Sequence, residues 1–185
     1  MTLNTTRPYG QASVIDAEQW AEVLQQATTR ERALIRLQLC CLARISEILR
    51  VKWSDLEGNR LHLQRSKGGP ATIIELPPVT LEAVEAWRRE CSSRTWVFPG
   101  RKVRGKQRSH LSERAALQIF ESLAERTGIR GLRSHSPRRS VATTAVRSGV
   151  ALPVVMEAGG WRSLSSLQRY LEADPLQVQT IRSLL

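Results

Sequence analysis

Tyrosine is scarce in this chain: of 185 residues, two are tyrosines and two are phenylalanines. Cysteine occurs three times, as Cys40, Cys41 and Cys91. An odd count with two adjacent members excludes a disulfide framework and a zinc-type spacing, and fits a reducing, cytoplasmic compartment. The three histidines are scattered too, so no ligand cluster argues for a metal. No apolar run approaches the ~18 residues of a membrane-spanning helix. The opening MTLNTTRPYGQAS has no signal-peptide core. Internal repeats and low-complexity tracts are absent, which excludes solenoids and arrays.

Acidic residues are also in short supply. Lys and Arg number 28 against 17 Asp and Glu, giving a formal charge of +11 and a pI near 10.9. Solubility needs only a modest charge of either sign. A folded chain this basic is expected to face a polyanion, nucleic acid first. Apolar residues make up 41%, a globular proportion. The length suits one domain with its own core.

Periodicity gives a mainly helical α+β chain. Trp20, Val23 and Leu24 recur at helical spacing after Asp16, and a second helix runs from about Thr29 to Leu39. In RISEILRVKWSDL, Ile45, Ile48 and Leu49 form one stripe, while Arg44 and Glu47 share another face. The period then changes. RLHLQRS (60–66) alternates, ATIIELP (71–77) is β-branched, and SKGGP between them reads as a hairpin turn with Lys67 at its mouth. One small antiparallel hairpin or three-stranded sheet is expected. Helices return at 80–91, between Ser112 and Gly128, and from Pro137 to Gly149. Shorter ones follow at ALPVVMEAGG and WRSLSSLQRYL, and a last at DPLQVQTIRSLL.

The polar residues that stand out are ordinary one at a time. Arg44 can pair with Glu47 on a helix surface, and a turn lysine such as Lys67 is usually solvated. His135 can be a loop histidine, Arg138 and Arg139 a phosphate patch, and Tyr170 a half-buried packing residue. Arg101, Lys102, Arg104, Lys106 and Arg108 make RKVRGKQR an exposed basic loop suited to tracking phosphates.

Taken in order, these segments form a pattern. CLARISEIL, the hairpin SKGG, HSPRR, GGW and then Tyr170, nine residues after Trp161, resemble the catalytic domain of the tyrosine recombinases, or phage integrase family. His135 and Arg138 match its His-x-x-Arg box, and RSVATTAVRSG looks like the continuation of that box. Departures are CLAR in place of Thr-Gly-Leu-Arg, Pro137 where leucine is common, and Trp161 in place of the more frequent histidine. None removes a catalytic group. The resemblance assigns residues 15–185 to the catalytic domain and leaves 1–14 as a tail or linker remnant. Typical members carry a separate DNA-clamping domain ahead of this one.

The resemblance implies a site-specific recombinase that joins Tyr170 to DNA as a 3′-phosphotyrosine and exchanges strands through a Holliday junction. Arg44 and Arg138 would clamp the nonbridging phosphate oxygens. His135 would accept the phenolic proton, and Lys67 would protonate the leaving 5′-oxygen. Trp161 would donate one hydrogen bond and buttress the tyrosine. Glu47 would orient a cationic neighbour. Arg139 would join the basic loop on DNA. The implied partner is double-stranded DNA from a phage, bacterial or mobile element. No metal, cofactor, membrane or small-molecule substrate is implied. The assembly would be a tetramer; the apolar Leu176, Val178, Ile181 and Leu184 or Leu185 of the tail would either pack on their own domain or dock on a neighbour, as in family members. A type IB topoisomerase-like nicking and closing activity uses the same chemical parts. A DNA-binding regulator with lost catalysis is the other alternative.

Overall fold

Two capping boxes start the fold. Asp16 accepts from the Gln19 amide and Gln19 returns the bond, opening α1 (Ala17–Gln26). Thr28 and Glu31 do the same for α2 (Thr29–Cys41). The computed structural model describes residues 12–66, 71–101 and 109–171. Helix α2 runs two residues past the expected Leu39 and ends on Leu42, which has the left-handed φ of 44°. That conformation costs a non-glycine residue ~1–2 kcal/mol.

The stretch RISEILRVKWSDL is not one helix. Helix α3 covers Ile45–Leu49 only, and a 3₁₀ turn follows at Trp53–Asp55. The cause is tertiary: the Val51 carbonyl accepts from the Val97 amide, and the Trp53 amide donates to the Thr95 carbonyl. Three antiparallel strands come next: β1 (Leu56–Glu57), β2 (Arg60–Gln64) and β3 (Ala71–Glu75), in the order β1-β2-β3. Leu61 faces Ile74 and Leu63 faces Thr72. Leu61 and Leu63 point into the core, whereas Ile73 on the other face stays exposed. The Gly-Gly turn expected between β2 and β3 lies outside the described residues.

Helix α4 (Pro78–Glu90) begins two residues before the expected Thr80, because proline suits a first turn. Ser112 caps α5 (Glu113–Thr127), and Gly128 at φ 68° closes it. Helix α6 (Ser136–Arg147) has His135 at its N-cap; α7 (Leu152–Gly159) and α8 (Leu164–Gln168) follow. Helix α8 stops short of Tyr170, whose amide still donates to the Leu167 carbonyl. The expected final helix, beyond residue 171, lies outside the described residues.

Burial divides the apolar residues into two clusters. The larger includes Leu34, Ile35 and Leu37 of α2, Ile48 of α3, Leu61 of β2, Phe98, and Phe120 and Leu123 of α5. Each fully buried side chain of this kind contributes ~1.5–3 kcal/mol. The smaller joins Ala142 of α6, Val155 of α7, Trp161 and Leu167, with Leu42 and Tyr170 packed against it. Arg138 and Tyr170 lie against the smaller cluster, with His135 and Arg44 beside them.

Candidate active site

The turn after α2 brings the first two groups together. Arg44 is the N-cap residue of α3, and its Nη1 donates to Glu47 Oε1 at 2.9 Å. The Glu47 side chain is completely buried. It also accepts from the Arg44 amide at 3.0 Å, the Ser66 amide at 3.0 Å and Arg65 Nη1 at 3.4 Å. Burial alone would raise the Glu47 carboxyl, but the donors from Ser66 and Arg44 outweigh it and hold it below the usual range.

Helix α6 supplies the next two. Arg138 is fully buried and donates through Nη1 to the Leu42 carbonyl. The strained turn at Leu42 thus aims a carbonyl at this guanidinium. Its Nε and Nη2 have no hydrogen-bond partner among the described residues. Unpaired buried donors of a charged group are costly, and at a site they mark a place for an anion. Burial pushes the Arg138 pKa down to about 10, and the charge of Arg44 adds to the effect. Arg138 therefore stays cationic at neutral pH. At the start of the same helix, His135 is exposed at one edge. Partial burial, then repulsion from Arg138 and Arg44, lowers its pKa below the ordinary imidazole value. At neutral pH it is a proton acceptor.

The GGW segment explains itself by contact. A Cβ on Gly159 would lie 1.8 Å from Trp161 Cζ3, so only glycine fits there. Gly160 adopts φ 65° and turns the chain. Trp161 is then buried with its ring under Arg138, whose guanidinium carbon is 3.7 Å from the ring centroid. Tyr170 meets Trp161 edge-on at 5.3 Å between centroids and lies 6.2 Å from the His135 ring. Its own ring is 5.3 Å from the Arg138 guanidinium. Thr143 of α6 donates to the Tyr170 carbonyl at 3.0 Å and fixes the backbone just past α8.

Five of the residues singled out in the sequence are thus brought to one place, with Glu47 beneath them: Arg44, His135, Arg138, Trp161 and Tyr170. A pocket of about 270 Å³ opens beside them, walled by Ser134, His135, Arg139, Arg169 and Tyr170. Arg139, expected to face DNA, does not stand on the surface. It is 4% exposed, and its Nη1 donates to the Arg169 carbonyl at 3.4 Å. Arg101 is exposed on a separate groove of about 970 Å³. Lys67, Lys102, Arg104, Lys106 and Arg108 lie outside the described residues.

Sequence reasoning passed over Arg65, Gln38 and Ser140. Arg65 is 6% exposed; its Nη2 donates to the Cys41 carbonyl at 3.2 Å and the Ala158 carbonyl at 2.7 Å. The signal was present: the alternation that turns Leu61 and Leu63 inward also turns residue 65 inward. Buried Gln38 donates to the Ser134 carbonyl beside His135. Ser140 accepts from the Ile15 amide at 2.8 Å and stitches the segment ahead of α1 to α6. These two carry no sequence pattern. Among the described residues, no group of His, Cys, Asp and Glu could hold a metal ion, and no helix is long and apolar enough to cross a membrane.

Cations that can hold a phosphate, a neutral imidazole and a phenol make a set suited to phosphoryl transfer onto tyrosine. Known proteins carry the same arrangement of chain. The Phage integrase family matches residues 13–176. Tyrosine recombinase XerC of Xanthomonas campestris pv. campestris is 29% identical over 170 residues, covering 87% of this chain and 51% of the relative. The chain spans about half the length of the curated relatives it matches. The XerH site-specific recombinase bound to palindromic difH in a post-cleavage complex has a TM-score of 0.75 at 21% identity, covering 99% of this chain and 55% of that one. A lambda integrase tetramer bound to a Holliday junction has a TM-score of 0.62 at 17% identity, covering 83% and 48%. Both share the mainly helical fold with its small sheet.

Proposed function

We propose, on the premise that the chain belongs to the phage integrase family, that it cuts and rejoins DNA at specific sites through a tyrosyl intermediate. One observation carries the reading: Arg138 is buried with two unpartnered donors between Trp161 and Tyr170, beside Arg44. A guanidinium held that way waits for an anion. The scissile phosphate takes that place, with Arg44 as the second clamp.

Tyr170 Oη attacks phosphorus as the bond from phosphorus to the 5′-oxygen breaks. His135 takes the phenolic proton. Lys67 gives a proton to the departing 5′-oxygen. A tyrosine free in solution has a pKa of ~10, so the nearby cations and the acceptor are needed at neutral pH. The two arginines meet charge that grows on the equatorial oxygens, and losing one such donor costs ~10²-fold or more. The 3′-phosphotyrosine keeps the phosphodiester energy. A 5′-hydroxyl from a second duplex then attacks it, releases Tyr170 and leaves a joined strand. No metal or nucleotide enters these steps.

The substrate is double-stranded DNA in the cytoplasm. The basic loop of Arg101, Lys102, Arg104, Lys106 and Arg108 follows its backbone. The protomers assemble as a tetramer, with the apolar face of residues 176–185 docked on a neighbour. The test is strand transfer between two differently labelled duplexes carrying the same site. Recombinant strands are expected. Relaxed or religated parental DNA without recombinants would support a topoisomerase-like activity instead.

A further inference from the structure

Arg65 has no part in the chemistry above, yet both of its terminal nitrogens are tied down next to it. Its guanidinium meets three different elements. Nη1 faces Glu47 of α3, and Nη2 bridges the Cys41 carbonyl, at the end of α2, and the Ala158 carbonyl, in the last turn of α7. Carbonyls at helix C-termini lack partners within their own helix and carry the negative end of the dipole. Arg65 therefore caps two helices while it shares the buried carboxylate that Arg44 also holds.

Its stem does further work. A Cβ added to Gly160 would come within 3.4 Å of Arg65 Cδ, so the side chain lies against the turn that delivers Trp161. The next residue is pinned as well, through the Ser66 amide on Glu47 Oε1. The last two described residues of this strand end are thus fastened to α3, and one of them also to α2 and α7. Residue 67 follows directly.

We infer that Arg65 is a positioning residue: it clamps the end of β2 onto α2, α3 and α7, so that the chain leaves for Lys67 from a fixed point beside Arg44 and Trp161. It is not a third phosphate clamp, because both of its terminal nitrogens are engaged and only Nε lacks a hydrogen-bond partner among the described residues, whereas Arg138 has Nε and Nη2 open. Lysine cannot replace it. One ammonium cannot span a carboxylate and two carbonyls set on three elements, whereas the planar fork can. The inference rests on the assignment of Lys67 as the acid.

A change of leaving group tests it. Single-turnover cleavage is measured on nicked site DNA with the ordinary 5′-oxygen, and on the same DNA with sulfur at that bridging position. Breaking the phosphorus–sulfur bond releases a thiolate, which needs no proton because a thiol has a pKa of ~8.5. Lys67→Ala is expected to be slowed ~10²-fold or more on the oxygen substrate and restored on sulfur. Arg65→Met, which keeps the apolar stem, is expected to follow it: slow on oxygen, largely restored on sulfur. Arg44→Ala should stay slow on both. Melting temperature and DNA binding are read for each variant, and Arg65→Lys replaces Arg65→Met if the latter does not fold. Arg65→Met that is equally slow on both substrates, or unimpaired on oxygen, while Lys67→Ala is restored, would overturn the anchoring role alone. Failure of sulfur to restore Lys67→Ala would overturn the lysine assignment and the inference with it.

Discussion

The guanidinium of Arg138 sits 3.7 Å from the centre of the Trp161 ring, and the ring sits where it does because Gly159 has no side chain. Arg138 faces Trp161 on one side and Tyr170 on another, with one nitrogen on the Leu42 carbonyl and two donors unpaired. Stability alone gives no reason to build this. A buried cation with unpaired donors costs free energy that a hydrocarbon of similar volume would not.

Arg138→Met should therefore separate the two properties. Cleavage is expected to fall ~10²-fold or more, while the melting temperature stays level or rises. Parallel rate and melting measurements decide it. A variant that loses stability in step with activity would show that Arg138 is mainly a structural residue.

Gly159→Ala should act through Trp161. The added methyl overlaps the indole, and overpacking of this kind costs ~1–3 kcal/mol. Cleavage should fall as the ring moves from under Arg138. Pairing the change with Trp161→His, a smaller ring, should recover part of the stability. No recovery in the double variant would place the damage in α7 itself.

The pH dependence follows from His135. Burial lowers its pKa first, and Arg138 and Arg44 lower it further, with Glu113 opposing. A base works in its neutral form, so cleavage should hold as pH falls through neutrality and decline only below the ordinary imidazole value of ~6.5. Titration of the His135 ring by NMR should give a midpoint on the same side. A midpoint above that value would contradict the electrostatic account of the site.

Changing Arg101, Lys102, Arg104 and Lys106 to glutamine should weaken binding to all DNA sequences alike. The slope of log affinity against log salt should shrink by ~0.9 for each phosphate no longer neutralised. Equilibrium binding at several salt concentrations measures this, and an unchanged slope would remove the loop from the interface.

The sequence made the helices and the sheet legible where pattern and chemistry coincide. Asp16, Thr28 and Ser112 are capping residues followed by apolar periodicity, and Gly128 closes α5 as its type suggests. It misled where tertiary bonds decide. RISEILRVKWSDL has a helical stripe, but the 95–97 segment claims its backbone and breaks it after Leu49. Arg44, His135, Arg138, Trp161 and Tyr170 could be named because each sits in a short patterned segment. What could not be read was direction. Arg139 follows Arg138 in a basic run, yet α6 turns both inward. Most arginines are solvated, and Arg65 sits in no motif; only the strand alternation points it toward Glu47.

Tyr170 is expected to become bonded to DNA. The direct measurement is to incubate the protein with nicked site DNA that prevents religation, separate any covalent complex on a denaturing gel, and map the attachment by peptide mass. The expected result is a complex whose modified peptide contains Tyr170, and none with Tyr170→Phe. Attachment at another residue, or an undiminished complex with Tyr170→Phe, would contradict it.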